Sequence, residues 1–194
     1  MRVSTQSYLF YLFVFLLSIP FPAFADTIVD TNIFENTTWT KVGSPYLVQN
    51  EIAIDQNATL SIEPGVIVQV DFGGIDVLGR LLVRGTSNEP VLFTSPTRWN
   101  GLWFSNQNTT SSLDYVVIQN AHAVSNYYSK GLSVSNTTIE NGDYGIETYG
   151  SHLSLNNFSV RNISENAIDM YGSDATLKNI TLKIPRDKMV VFTG

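Results

Sequence analysis

The chain has 194 residues, with 11 basic and 17 acidic side chains, a net charge of −6 and no cysteine. This acidic balance excludes the basic stripe that phosphate binding needs, so nucleic acid is not an expected partner. The absence of cysteine excludes disulfides, thiolate metal centres and cysteine nucleophiles.

The chain opens with Arg2, an uncharged and mostly bulky apolar run from Tyr8 to Ile19, two prolines at 20 and 22, and Ala23-Phe24-Ala25. A positive start, a short apolar stretch and a small-x-small end predict a signal peptide over residues 1–25, cleaved before Asp26. The run is too short, and too interrupted by proline, for a membrane span. No later segment is long and apolar enough for one, so no transmembrane anchor is expected. Residues 26–45, which include Trp39, fall outside the repeat that follows and are expected to cap it, since an open solenoid end exposes strand edges.

From residue 46 onward the sequence repeats. Ile52, Ile75, Leu102, Val124, Ile146, Ile168 and Val190 form one apolar column, spaced 22 residues apart over the later turns. Leu113, Val134, Leu155 and Leu177 form a second column, and Ile118, Ile139, Val160 and Leu182 a third. Around each column apolar and polar residues alternate, which points one strand face inward and the other outward. Three short strands per coil cannot bury an apolar face alone, whereas stacked coils bury it continuously. The expected fold is therefore all-β: a single-stranded right-handed parallel β-helix of about six coils of 21–27 residues, over residues 46–194. Six coil spacings make a rod roughly 29 Å long. The excursion near residues 94–100 and the polar segment 106–112 read as loops.

Asparagine marks the corners. Asn136, Asn157 and Asn179 recur between the second and third strands, where a sharp bend suits a residue that tolerates the left-handed conformation. Asn120, Asn141 and Asn162 form another column, on the alternation phase that points inward. Two structural asparagine ladders are expected, with amides bonding from coil to coil.

These columns resemble the pectate-lyase-like β-helix superfamily, which has asparagine ladders at a tight bend. The early coils are similar to a narrower group, the bacterial and archaeal surface proteins with β-helix repeats. The stretches that carry this likeness are Ala58-Thr59-Leu60-Ser61-Ile62-Glu63-Pro64-Gly65-Val66, Gly79-Arg80-Leu81-Leu82-Val83-Arg84-Gly85-Thr86 and Trp99-Asn100-Gly101-Leu102-Trp103-Phe104. The resemblance implies the fold and a secreted or surface location, the periplasm included. It does not imply an activity.

On the first strand of each coil, the outward positions are Asp76 and Leu78, Trp103 and Ser105, Ser125 and Tyr127, Glu147 and Tyr149, and Asp169 and Tyr171. Tyr127, Tyr149 and Tyr171 should stack, with Glu147 and Asp169 beside them in adjacent coils. Aromatic rings cover the apolar faces of sugars and carboxylates accept hydrogen bonds from hydroxyls. Trp103, Tyr127, Glu147, Tyr149, Asp169 and Tyr171 are therefore the candidate ligand-binding set, for a polysaccharide or other glycan. A catalytic version makes Glu147 and Asp169 the acid and base of a glycoside hydrolase. A third version places Ca²⁺ between carboxylates; otherwise no cofactor is expected. The simplest alternative is a solvated face whose aromatic stack stiffens the coils.

Enzyme motifs of the resembling families (Asn-Thr-Asp, Asp-Asp, Gly-His-Gly, Arg-Ile-Lys) do not occur. His122 and His152 lie too far apart in sequence for a compact zinc motif. Seven N-glycosylation sequons are present, but Asn136, Asn157, Asn162 and Asn179 belong to the repeat, leaving Asn36, Asn57 and Asn108 as acceptors. The sequence thus favours a non-catalytic adhesion or glycan-contact scaffold, with a polysaccharide lyase, hydrolase or epimerase as the alternative. Val190 to Gly194 repeats Ile168 to Gly172, so the β-helix is expected to be incomplete at its C-terminus, its edge meeting further coils or another chain.

Overall fold

The computed structural model describes residues 26–105, 108–184 and 190–193. The proposed signal segment, residues 1–25, lies outside the described residues, as do Asn106, Gln107, residues 185–189 and Gly194. No helix among the described residues is long and apolar enough to cross a membrane.

The molecule is a parallel β-solenoid of about seven turns. One wall is a seven-stranded parallel sheet. Its strands, in stacking order, are Ile52–Ile54, Gly74–Val77, Trp99–Ser105, Ala121–Tyr127, Ile146–Tyr149, Ile168–Tyr171 and Val190–Thr193. The predicted apolar column pairs rung by rung: Ile52 with Ile75, Leu102 with Ile75 and Val124, Ile146 with Val124 and Ile168, and Ile168 with Val190. The second and third columns pair just as the spacing requires, Val134 between Leu113 and Leu155, and Ile139 between Ile118 and Val160.

The second and third walls are separate strands in the early turns, such as Thr59–Ile62 and Ile67–Val70. From the fifth turn they fuse into ten-residue bent strands, Gly131–Glu140, His152–Arg161 and Asp174–Lys183. Alternation fills the interior: Ile54, Leu60, Val68, Val77, Phe93, Phe104, Val124, Leu155 and Ile168 are all fully buried. Each such side chain contributes about 1.5–3 kcal/mol relative to exposure.

Residues 26–45 lie at one end of the rod and pair in parallel with the coil above. Thr27–Val29 joins Tyr46–Val48, Ile33 bridges Ile54, and Thr37–Trp39 joins Thr59–Ile62. Trp39 is buried there and stacks on Tyr46, with ring centroids 4.6 Å apart. The terminal segment is thus a short extra turn that the repeat spacing did not reveal, because its apolar residues are sparse.

Each of the three corners of the later turns carries a residue in the left-handed region. Tyr115, Asn136, Asn157 and Asn179 occupy the corner between the second and third walls, with φ from 50 to 55°. Asn157 Nδ2 donates to Asn136 Oδ1 at 2.8 Å, and Asn136 Nδ2 donates to Asp114 Oδ1 at 2.8 Å. Asn120, Asn141 and Asn162 occupy the corner between the third and first walls, with φ of 51 to 59°. The expected inward orientation of this column is corrected. Asn141 and Asn162 are exposed and Asn120 is half-buried, because the left-handed turn ends the strand alternation from which the phase was counted. Their amides still form coil-to-coil bonds, Asn162 Nδ2 donating to Asn141 Oδ1 at 2.6 Å.

The truly interior asparagine is Asn126, in the first-wall row Phe104, Asn126, Thr148 and Met170. Its Nδ2 donates to Thr148 Oγ1 at 3.3 Å, and Ser129 Oγ donates to its Oδ1. The third corner holds Tyr128, Gly150 and Gly172, with φ of 50 to 55°.

Candidate functional site

The outer face of the seven-stranded wall gathers the candidate residues. One outward row is Asp76, Trp103, Ser125, Glu147 and Asp169, paired strand to strand in that order. Two residues further along, the row Ser105, Tyr127, Tyr149 and Tyr171 runs parallel to it. The predicted tyrosine stack is present. Tyr127 and Tyr149 lie 6.1 Å apart at 9°, and Tyr149 and Tyr171 lie 5.8 Å apart at 27°. Trp103, from the adjacent row, closes the ring stack, tilted 54° to Tyr127 at 5.9 Å.

Ring exposure decides what these aromatics offer. The middle tyrosines cover one another's faces, so they present edges and hydroxyls. Trp103 stands at the end of the stack and is 54% exposed, whereas Trp39 and Trp99 are buried. It is the broadest ring surface of the stack that faces solvent.

A cleft of about 280 Å³ opens beside Trp103. Its floor is Gly74 and Gly101, paired neighbours in adjacent turns with no side chains to fill the space. Gly101 has φ of +95°, and a Cβ there would meet the Ala123 carbonyl oxygen at 1.8 Å, so the position admits only glycine. Glu51, Asp76, Trp103, Tyr127, His122 and Glu147 rise around this floor.

The carboxylates of this face are poorly compensated. Burial, and then the nearby charge of Glu51, raise the Asp76 carboxyl above its ordinary value. Burial also raises Glu147, aided by the charge of Asp169 and opposed by a hydrogen bond donated by Ser125 Oγ at 3.1 Å and by His122. Tyr127 is raised by burial and then by the charge of Glu147. His122 Nδ1 is engaged 2.9 Å from Asp143 Oδ2, and Asp143 also pairs with Arg98 at 3.1 Å.

Asp169 is placed differently. It is adjacent to Glu147 in register, yet only 4% exposed, and Asn166 Nδ2 donates to both its oxygens at 2.9 and 3.2 Å. The cleft therefore takes Trp103, Tyr127 and Glu147 from the predicted set, and Tyr149 and Tyr171 extend the surface beyond it. Asp169 is withdrawn beneath its neighbours. Glu147 and Asp76 are three coil spacings apart, about 14 Å at the backbone.

Sequence reasoning missed Glu51, Asn100 and His122. Glu51 precedes its strand, and Asn100 and His122 stand ahead of the consecutive buried pairs Gly101-Leu102 and Ala123-Val124, which break the alternation, so phase does not give their side. The signal that could have found them is the small-residue row Gly74, Gly101, Ala123, Gly145 and Ala167, in which Glu51 holds the first position. Among the described residues no group of three or more acidic or histidine side chains is placed to hold a metal ion, so the calcium alternative gains no ligand cluster there. Comparisons with protein-family models, curated proteins and solved structures find no match to this chain.

Proposed function

We propose that this chain is a secreted or cell-surface β-helix protein, of the pectate-lyase-like kind, whose seven-stranded wall is a non-catalytic glycan-contact surface. The observation that carries this reading is the continuous outward ring stack of Trp103, Tyr127, Tyr149 and Tyr171 beside a carboxylate-lined cleft. Exposed aromatic patches of this kind serve as contact sites. The stack spans four turns, which suits an extended chain more than a compact small molecule. A hydrolytic pair of carboxyls needs roughly 5–9.5 Å between them across an open site. Here the nearer partner of Glu147 is buried and held by Asn166, which favours binding without cleavage.

A polysaccharide-active enzyme is the second reading. Glu147, raised by burial in an open cleft, has the character of a general acid. One experiment separates the two. The mature protein is incubated with acidic, neutral and amine-bearing polysaccharides, and both retention and chain length are followed. Retention without shortening, weakened at least tenfold in Tyr149→Ala, is the expected result. Depolymerisation that disappears in Glu147→Gln would overturn it. Secretion is tested separately: expression in a secreting host should yield a chain beginning at Asp26.

A further inference from the structure

We infer that the cleft beside Trp103 selects a cationic, amine-bearing sugar unit over neutral or anionic ones. This inference rests on the glycan-contact reading and specifies its ligand.

The argument begins with what the cleft lacks. Three carboxylates, Glu51, Asp76 and Glu147, line it, and neither lysine nor arginine does. Among the described residues Glu147 accepts one side-chain hydrogen bond, from the neutral Ser125, and no ion pair involves Glu51, Asp76 or Glu147. The histidine on the rim is already committed to Asp143. A uronate or a sulfated sugar would add negative charge beside these groups and be repelled; a cation would relieve them.

The aromatic wall points the same way. Trp103 and Tyr127 stand on the same cleft as the carboxylates. An ammonium group over the exposed indole of Trp103 gains the attraction of the ring quadrupole, and tryptophan is the best partner for it. The remaining ring surface covers the apolar face of the sugar. Carboxylates and an exposed indole around one recess thus recognise two parts of one ligand, the charged amine and the ring that bears it. The recess is at the small end of ligand sites, enough for about one ring-sized unit, with Tyr149 and Tyr171 leading away from it for further units.

The test compares three oligomers of one length: β-linked glucosamine that is N-trimethylated and so cationic at any pH, the same chain N-acetylated and so neutral, and a galacturonate oligomer as the anion. Calorimetric titration at low salt should show the trimethylated oligomer binding at least tenfold more tightly than the acetylated one, and no binding of the uronate. Asp76→Asn and Glu147→Gln should each shrink that preference severalfold. Equal or tighter binding of the acetylated form or of the uronate would overturn the charge preference while leaving glycan contact standing. Tetramethylammonium binding as tightly as the oligomer would overturn the sugar part. Binding of none of these ligands would overturn both the inference and the reading beneath it.

Discussion

A left-handed backbone is expensive for any residue with a Cβ, about 1–2 kcal/mol, and this chain meets that requirement at every corner of its later turns. Gly150 and Gly172 share one corner but differ in surroundings. A Cβ at Gly150 would meet the Tyr128 ring at 2.9 Å, while one at Gly172 would meet nothing within 4 Å. Gly172→Ala should therefore lose only the backbone contribution, about 1–2 kcal/mol, and Gly150→Ala should lose more. Denaturant midpoints at constant slope would check the order. The carboxylates supply a second residue-scale prediction. Because the folded Glu147 carboxyl is raised, the folded state holds its proton more tightly than the unfolded chain, and stability falls as pH rises from the ordinary carboxylate range through the raised value. Glu147→Gln, which mimics the protonated form, should raise the melting temperature at neutral pH, and the gain should vanish in acid. Glu140 behaves oppositely. Burial pushes its carboxyl up, but hydrogen bonds from Gln119 and Arg161, with the charge of Arg161, outweigh that and hold it low. Its contribution is present above the ordinary carboxylate range and is lost as pH falls through its lowered value.

At the scale of the strand and the wall, close approach between turns sets the limits. Gly101→Ala would force a Cβ into the Ala123 carbonyl, so the sheet must part locally; a loss of several kcal/mol, or failure to fold, is expected. Ala123→Gly lacks that clash and should cost about 1 kcal/mol or less. The register of the walls was legible in the sequence because period-two alternation and a 22-residue step each fix it, and a slip by one residue would turn every core side chain outward. Corners were less legible. Asn120, Asn141 and Asn162 were assigned an inward phase by counting through a left-handed residue, where alternation no longer holds. Asn126 escaped notice because a buried amide is satisfied by Thr148 and Ser129, a partnership that depends on side-chain geometry and leaves no periodic trace. In the cleft, Trp103, Tyr127 and Glu147 were found by phase. Asp169 is accessible by phase alone, yet the structure buries it, with Asn166 Nδ2 held against both its oxygens.

For the whole molecule, a solenoid holds each turn mainly through its neighbours. Leu155 is fully buried in the strand His152–Arg161, while Leu177, its partner in Asp174–Lys183, is 38% exposed. Amide exchange should therefore be slowest in the turns from Gly74 to Val160 and faster in Asp174–Lys183 and Val190–Thr193; uniform protection would mean a single all-or-none unit instead. The surface these turns display is tested most directly by the emission of the one exposed tryptophan. Of the three tryptophans, Trp39 and Trp99 are buried and Trp103 faces the cleft. Titrating the protein with oligosaccharides should produce a saturable shift in tryptophan fluorescence that is abolished in Trp103→Phe, with the oligosaccharide chain length unchanged throughout. No shift with any glycan, or a shift accompanied by shortening of the chain, would contradict the account.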